Sequence, residues 1–171
     1  MIRKLVAAML LVGLIALWAY SDLLFPPETV SGPVIHVRDG DTFDMTGETI
    51  RLAGIDAPEY HQMCKDAGGA DWPCGRAARA QLEALASGGR VTCAKLATDQ
   101  YHRTVARCGT GATPDLGEAM VRAGLAISPA LRGEAAYAEA EQSARDAKRG
   151  IWQGAYQSPA DWRAAHLTSH P

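Results

Sequence analysis

The chain has 171 residues, enough for one domain and a leader. With 47% hydrophobic residues a core can form without oligomerisation, and the chain is expected to be a monomer. The formal net charge is -2, and without the first 21 residues 15 basic side chains face 19 acidic ones, a balance of -4 that excludes a protein gripping nucleic acid by bulk charge.

Arg3 and Lys4 precede an apolar run from Leu5 to Tyr20, the order of a positive n-region and an h-region. The run has 16 residues, against about 20 for a full membrane span. Leu23, Leu24 and Phe25 could extend it past Asp22, and Ala19-Tyr20-Ser21 offers a small-x-small cleavage site. Residues 1–25 are thus expected to be a signal peptide or a transmembrane signal anchor, 26–32 a linker, 33–152 the folded domain and 153–171 a tail. With the positive end inside, the remainder is expected to be periplasmic or secreted, or anchored at the inner membrane through an uncleaved segment.

Pro33–Arg38 alternates like a strand, and Asp39-Gly40 is turn chemistry. Residues 42–46 and 49–55 read as a hairpin about Gly47-Glu48, with Phe43 facing Leu52, Met45 facing Ile50 and Asp44 opposite Arg51. Residues 75–86 read as a helix stopped by Gly88-Gly89. Residues 90–96 and 103–108 form a second hairpin, Asp115 caps a short helix that Gly124 ends, and 134–149 is an alanine-rich helix closed by Gly150. Three strands, a helix, two strands and further helices spell an α+β, mainly β chain: a five-stranded OB-type barrel with appended helices behind an N-terminal signal or anchor helix.

The cysteines are Cys64, Cys74, Cys93 and Cys108, with no C-x-x-C pair to suggest zinc. Reflection about Gln100-Tyr101 sets Cys93 opposite Cys108, which leaves Cys64 with Cys74; both pairs are expected as disulfides of an exported chain.

The first hairpin brings Asp41, beside Gly54, toward Asp56 just beyond the partner strand, and Asp39 and Glu59 lie on the adjoining turns. Clustered carboxylates with the carbonyls of residues 55–58 make a hard-oxygen site suited to calcium or magnesium. Strand parity puts Asp41 on the Phe43 side, so the backbone must bend near Gly40. Arg51 lies inside an apolar strand and Arg103 follows Tyr101 and His102. Their planar forks match phosphate oxygens, and two of them near a metal would clamp a phosphodiester.

The run Val37-Arg38-Asp39-Gly40-Asp41-Thr42, followed by Ile50-Arg51-Leu52-Ala53-Gly54-Ile55-Asp56-Ala57-Pro58-Glu59, resembles the staphylococcal nuclease-like (thermonuclease) family of exported bacterial type. Asp99–Arg103 and Met120–Ala126 resemble two later segments of that family, so the likeness extends over about residues 33–152. It implies an OB-fold and Ca²⁺-dependent endonuclease hydrolysis of single-stranded or unpaired DNA and RNA, with 3′-phosphate products. Carried over, Asp41, Asp56 and the Ala57 carbonyl would bind Ca²⁺, and Glu59 would be the general base. Arg51 and Arg103 would hold the phosphoryl oxygens and Tyr101 would contact a neighbouring phosphate or nucleoside. His102 stands where the family usually has Gly, in a turn that can call for positive φ. The stretch from Ile127 to Ala130 lacks a tyrosine that the best-known member uses against its substrate. The alternative is a catalytically weak OB-fold module of the cell envelope that binds oligonucleotides or oligosaccharides.

Overall fold

The computed structural model describes residues 2–19, 27–45, 47–131 and 133–166, with side chains described from residue 9 onward except at 19 and 131. The cleavage segment at Tyr20-Ser21, the apolar extension through Leu23, Leu24 and Phe25, Pro26, Thr46 and the end of the tail lie outside the described residues. Helix α1 (Ile2–Ala19) carries the apolar run. The large hydrophobic side chains of its second half are exposed, Trp18 at 80%, and none belongs to the core. Among the described residues no helix is long and apolar enough to cross a membrane.

Strands β1 (Thr29–Gly32), β2 (Val34–Val37), β3 (Thr42–Met45), β4 (Glu48–Leu52), β7 (Val91–Thr98) and β8 (Thr104–Gly109) form one six-stranded sheet, ordered β1-β7-β8-β4-β3-β2. The sheet curls into the half-barrel of an OB-type fold. Two short ribbons, β5 (Cys64–Lys65) with β6 (Asp71–Trp72) and β9 (Ala130–Leu131) with β10 (Glu134–Ala135), lie outside it. The expected five strands become six because β1 falls inside the stretch expected to be a linker, residues 26–32. There Val30 pairs with Cys93 and packs on the core, and Glu28 meets the Lys95 ammonium at 2.8 Å.

The first hairpin closes with Met45 opposite Glu48, so Phe43 faces Ile50, Asp44 faces Thr49 and Thr42 faces Arg51. The expected partners differ from these by two residues, which preserves strand parity. Phe43, Met45, Ile50 and Leu52 accordingly all enter the core, each no more than 2% exposed. Asp44 does not pair with Arg51; it receives the guanidinium of Arg38. In the second hairpin Cys93 stands opposite Cys108 and the two are bonded, as are Cys64 and Cys74. The register slips by one residue near Leu96, and His102 turns the chain at φ 62°.

Helix α2 (Cys74–Ala86) covers the sheet through Ala78 and Leu82. In α3 (Leu116–Arg122) the Asp115 carboxylate caps the helix by accepting the Glu118 N–H at 3.0 Å. The expected helix over 134–149 shortens to α4 (Ala138–Asp146). Gly133, at φ 93°, sits between β9 and β10, and the Tyr137 N–H donates to Ser128 Oγ, not to a helical carbonyl. The fold also continues past the expected boundary at 152. A 3₁₀ turn (Gly150–Gln153) buries Ile151 against the Cys64–Cys74 pair, and the carbonyls of Ala155 and Gln157 accept from Lys65 N and Gln62 Nε2. Helix α5 (Pro159–His166) follows, capped by Ser158 Oγ on the Asp161 N–H at 3.1 Å.

Tyr137 Oη donates to both oxygens of the Asp115 cap, at 2.9 and 3.1 Å. Burial and that neighbouring carboxylate push the phenol up from 10.0 to about 12. The folded state therefore keeps a proton that the unfolded chain releases, and stability is lost as pH rises from about 10 to about 12. In Tyr137→Phe this alkaline loss is expected to shrink, while stability at pH 7 falls by about 1 kcal/mol with the hydrogen bond. Urea denaturation of both proteins from pH 8 to pH 11 measures the difference.

Candidate active site

The bend demanded near Gly40 is present: residues 39–41 leave the strand path, and the Asp41 N–H folds back onto Asp39 Oδ1 at 3.0 Å. A Cβ on Gly40 would lie 2.7 Å from the Cβ atoms of Ala57 and Ala78, so only glycine lets this bend settle against α2. The bend carries the Asp41 carboxylate into the interior, 2% exposed. Its Oδ1 accepts from Thr42 Oγ1 at 2.7 Å and Arg51 Nη1 at 2.5 Å; its Oδ2 accepts the Ala57 N–H at 3.0 Å. The Asp41 backbone lies beside Leu52, whose N–H it accepts at 2.8 Å, and not beside Gly54.

Asp56 is fixed through its backbone, which exchanges two hydrogen bonds of 2.9 Å with Ile127 in the loop after α3. Arg51 joins the two acids: Nη1 serves Asp41 and Nη2 reaches Asp56 Oδ1 at 3.0 Å. Burial drives the Asp41 carboxyl up to about 7 against the opposing pull of Arg51. Burial also works against the Arg51 charge, but Asp41 and Asp56 outweigh it and leave that group above its ordinary value. Complete enclosure thus outweighs the ion pair at Asp41, whereas Arg51, 21% exposed at its side chain, keeps its charge firmly.

Glu59 sits on a loop held from both sides. Its N–H donates to Gln62 Oε1 and its carbonyl accepts from Gln62 N, with Gln62 fully buried. A Cβ on Gly75, at the start of α2, would lie 1.7 Å from the Glu59 carbonyl oxygen. Gly75→Ala is expected to displace the Glu59 loop and cost about 1–3 kcal/mol, read as a lowered midpoint in thermal denaturation.

Arg103 and Tyr101 bond to Asp99 and not to this cluster. Arg103 Nε donates to Asp99 Oδ2 at 2.8 Å, and its guanidinium lies 5.3 Å from the ring centre of Tyr101, which is 69% exposed. Although burial opposes it, hydrogen bonds from Arg103 and Tyr101 hold the Asp99 carboxyl below its ordinary value. Among the described residues neither Arg103 nor Tyr101 bonds to Asp41, Asp56 or Glu59. Arg103 does precede β8, whose Val105 pairs in parallel with Arg51, so strand parity puts both arginines on one face.

Arg163, on α5, is the residue that sequence reasoning missed. Its Nη1 donates to Asp56 Oδ1 at 3.0 Å and Glu59 Oε1 at 2.9 Å, and its Nη2 to Asp56 Oδ2 at 3.0 Å. These bonds raise the Arg163 guanidinium above its ordinary value.

Among the described residues no group of three His, Cys, Asp or Glu side chains is arranged to hold a metal ion. The set to weigh is smaller: two carboxylates and the Ala57 carbonyl, all oxygen donors, which is the chemistry that calcium takes with other carbonyls and waters. Three carboxylates, Asp41, Asp56 and Glu59, meet two guanidinium groups, Arg51 and Arg163, so each acid has a cationic partner and, with all three ionised, the cluster carries one negative charge in excess. In donor type and charge the residues fit a hard dication, with Asp56 shared at present between two arginines.

The family described as Staphylococcal nuclease homologue matches residues 49–154. A succinoglycan biosynthesis protein, ExoI, of Rhizobium meliloti (strain 1021) is 32% identical over 136 residues, 79% of this chain and 71% of the relative. An uncharacterized endonuclease of Escherichia coli is 30% identical over 131 residues, 74% of this chain and 79% of the relative. A probable endonuclease, lcl3, of Botryotinia fuckeliana (strain B05.10) is 34% identical over 135 residues, 70% of this chain and 50% of the relative, so the chain spans about half of that fungal protein.

Proposed function

We infer the function of this chain from its family: it belongs to the staphylococcal nuclease homologues. The reading is a calcium-dependent endonuclease that hydrolyses phosphodiester bonds of single-stranded or unpaired DNA and RNA and leaves 3′-phosphates. The observation that carries it is the fork of Arg51 joining buried Asp41 to Asp56, with Glu59 beside them. Asp41, Asp56 and the Ala57 carbonyl would hold Ca²⁺, which when bound supplies Lewis acidity and a template for the phosphate. Glu59 takes a proton from the attacking water as its oxygen bonds to phosphorus, and the electron pair of the broken P–O5′ bond leaves on O5′. Arg51 and Arg103 stabilise the charge that develops on the non-bridging oxygens. The exposed ring of Tyr101 offers a stacking face to a neighbouring nucleoside.

The acidic balance fits this division of labour, with phosphate contact concentrated in a few arginines. The Arg3-Lys4 start, the apolar α1 outside the core and the paired cysteines support export to the periplasm or beyond, with membrane association through α1 where it is retained. The likeness to a succinoglycan biosynthesis protein favours a second reading, an envelope module whose OB face binds an oligosaccharide without turnover.

End-group analysis tests the reaction. Fragments of a 5′-labelled oligonucleotide are expected to resist 3′ extension until a phosphatase removes the terminal phosphate, from DNA and RNA alike. Fragments that extend at once contradict P–O5′ cleavage.

A further inference from the structure

We propose that α5 is a displaceable latch, in which Arg163 occupies Asp56 and Glu59 and must withdraw before a divalent cation and the attacking water can use them. This rests on the calcium-dependent nuclease reading. Arg163 covers both groups that the reaction needs: it is bidentate on Asp56 and takes an oxygen of Glu59. Asp56 Oδ1 accepts from Arg51 and Arg163 together, which uses both of its lone pairs; Oδ2 accepts from Arg163 and has one lone pair left. A dication at Asp56 would compete for these acceptors and would also stand beside a guanidinium of like sign. Arg163 thus supplies, from within the chain, part of the positive charge that a bound metal would bring.

The packing of α5 suits withdrawal. Among its described residues Pro159 alone is buried, and the Arg163 side chain is 38% exposed. Trp162 stacks on His166 of the same helix, with ring centres 3.9 Å apart. The preceding segment is tied down: Lys65 N donates to the Ala155 carbonyl at 2.8 Å and Gln62 Nε2 to the Gln157 carbonyl at 2.7 Å. With its base fixed and little apolar surface buried, α5 can leave the carboxylates without unfolding the domain, and the tether keeps Arg163 at high effective concentration for return. The loop that carries Glu59 and Gln62 leads directly into the Cys64–Cys74 disulfide, so latch and general base share one braced scaffold.

The test uses the full-length oxidised chain in detergent micelles, wild type and Arg163→Ala, with near-ultraviolet circular dichroism to establish that both are folded. Calorimetric titration with CaCl₂ is expected to show about tenfold tighter binding by the variant, the release of a competing internal cation. Amide hydrogen exchange is the second readout. In the wild type, saturating CaCl₂ is expected to accelerate exchange over residues 160–166; in the variant that segment is expected to exchange fast with or without calcium. Equal calcium affinities, or exchange in α5 that calcium leaves unchanged, overturn the latch alone. Equal calcium affinities with weakened binding of a thymidine oligonucleotide overturn it too, and make Arg163 a phosphate ligand. Failure of both proteins to bind calcium overturns the calcium reading and the latch with it.

Discussion

Glu59→Gln is expected to slow calcium-dependent cleavage of single-stranded DNA by about 10²–10⁴-fold, the usual contribution of a positioned general base. Glutamine keeps the size of the side chain and an oxygen that can still accept from Arg163, now 2.9 Å from Glu59 Oε1. The loop is held by its backbone through Gln62 and by the close approach of Gly75, neither of which the substitution touches. Asp41 and Asp56 are unchanged, so calcium affinity is expected to hold. The loss should therefore fall on kcat with KM nearly constant, the mark of a contribution made in the transition state. Steady-state kinetics with a defined oligonucleotide checks this, and turnover equal to wild type would remove Glu59 from the base role.

The second large effect concerns stability. Arg51→Met is expected to cost about 1–3 kcal/mol, because the buried Asp41 carboxyl, pushed up to about 7 even beside Arg51, then takes up a proton in the folded state and loses its guanidinium donor. Asp41 is 2% exposed, and Arg51 is its only cationic contact among the described residues. Asp56 fares better, since Arg163 still holds it. Adding Asp41→Asn to Arg51→Met should restore part of the loss, whereas a cost arising from the aliphatic stem of Arg51 would persist in the double variant. Arg51→Lys is expected to be damaging as well: a single ammonium cannot reproduce a fork that reaches Asp41 through one nitrogen and Asp56 through the other. Urea denaturation of the single and double variants separates these contributions.

The core of the first hairpin was legible because alternation does not depend on register. The observed register, with Met45 opposite Glu48, shifts partners by two residues from a turn about Gly47-Glu48, so Phe43, Met45, Ile50 and Leu52 keep their face. The register itself was not legible, since either two-residue loop places Gly47 within the turn. Glu48 enters β4 because Lys95 and Thr104, distant in sequence, take its two carboxylate oxygens. The disulfides followed from symmetry about one turn, and the positive φ of His102 from the position that it fills. Asp41 and Asp56 could be brought together from the hairpin alone, but Arg51 was also consistent with a cross-strand pair to Asp44. Only the fold shows Arg38 taking that partner.

Arg163 was invisible for a different reason. One arginine in a tail without apolar periodicity has no sequence signature, and its partners lie more than 100 residues away. Its helix, however, did leave a signal. Ser158-Pro159-Ala160-Asp161 has a capping residue, proline at the first helical position and an acid three residues after the cap, and the Ser158 and Asp161 side chains do bond at 2.6 Å. Similarly, β1 was passed over because Thr-Val-Ser-Gly after two prolines has the composition of a linker. Its strand character comes from the edge of β7 that it covers.

The central claim is that the Asp41, Arg51, Asp56 and Glu59 cluster performs metal-dependent phosphodiester hydrolysis. The most direct measurement incubates the full-length chain, oxidised and in detergent micelles, with single-stranded DNA at low salt, in CaCl₂ or in a chelator. Cleavage in calcium that stops in the chelator and returns when calcium is restored is the predicted result. Intact DNA in calcium, from protein whose two disulfides and folded circular dichroism are verified, would contradict the claim and leave the fold as a binding module.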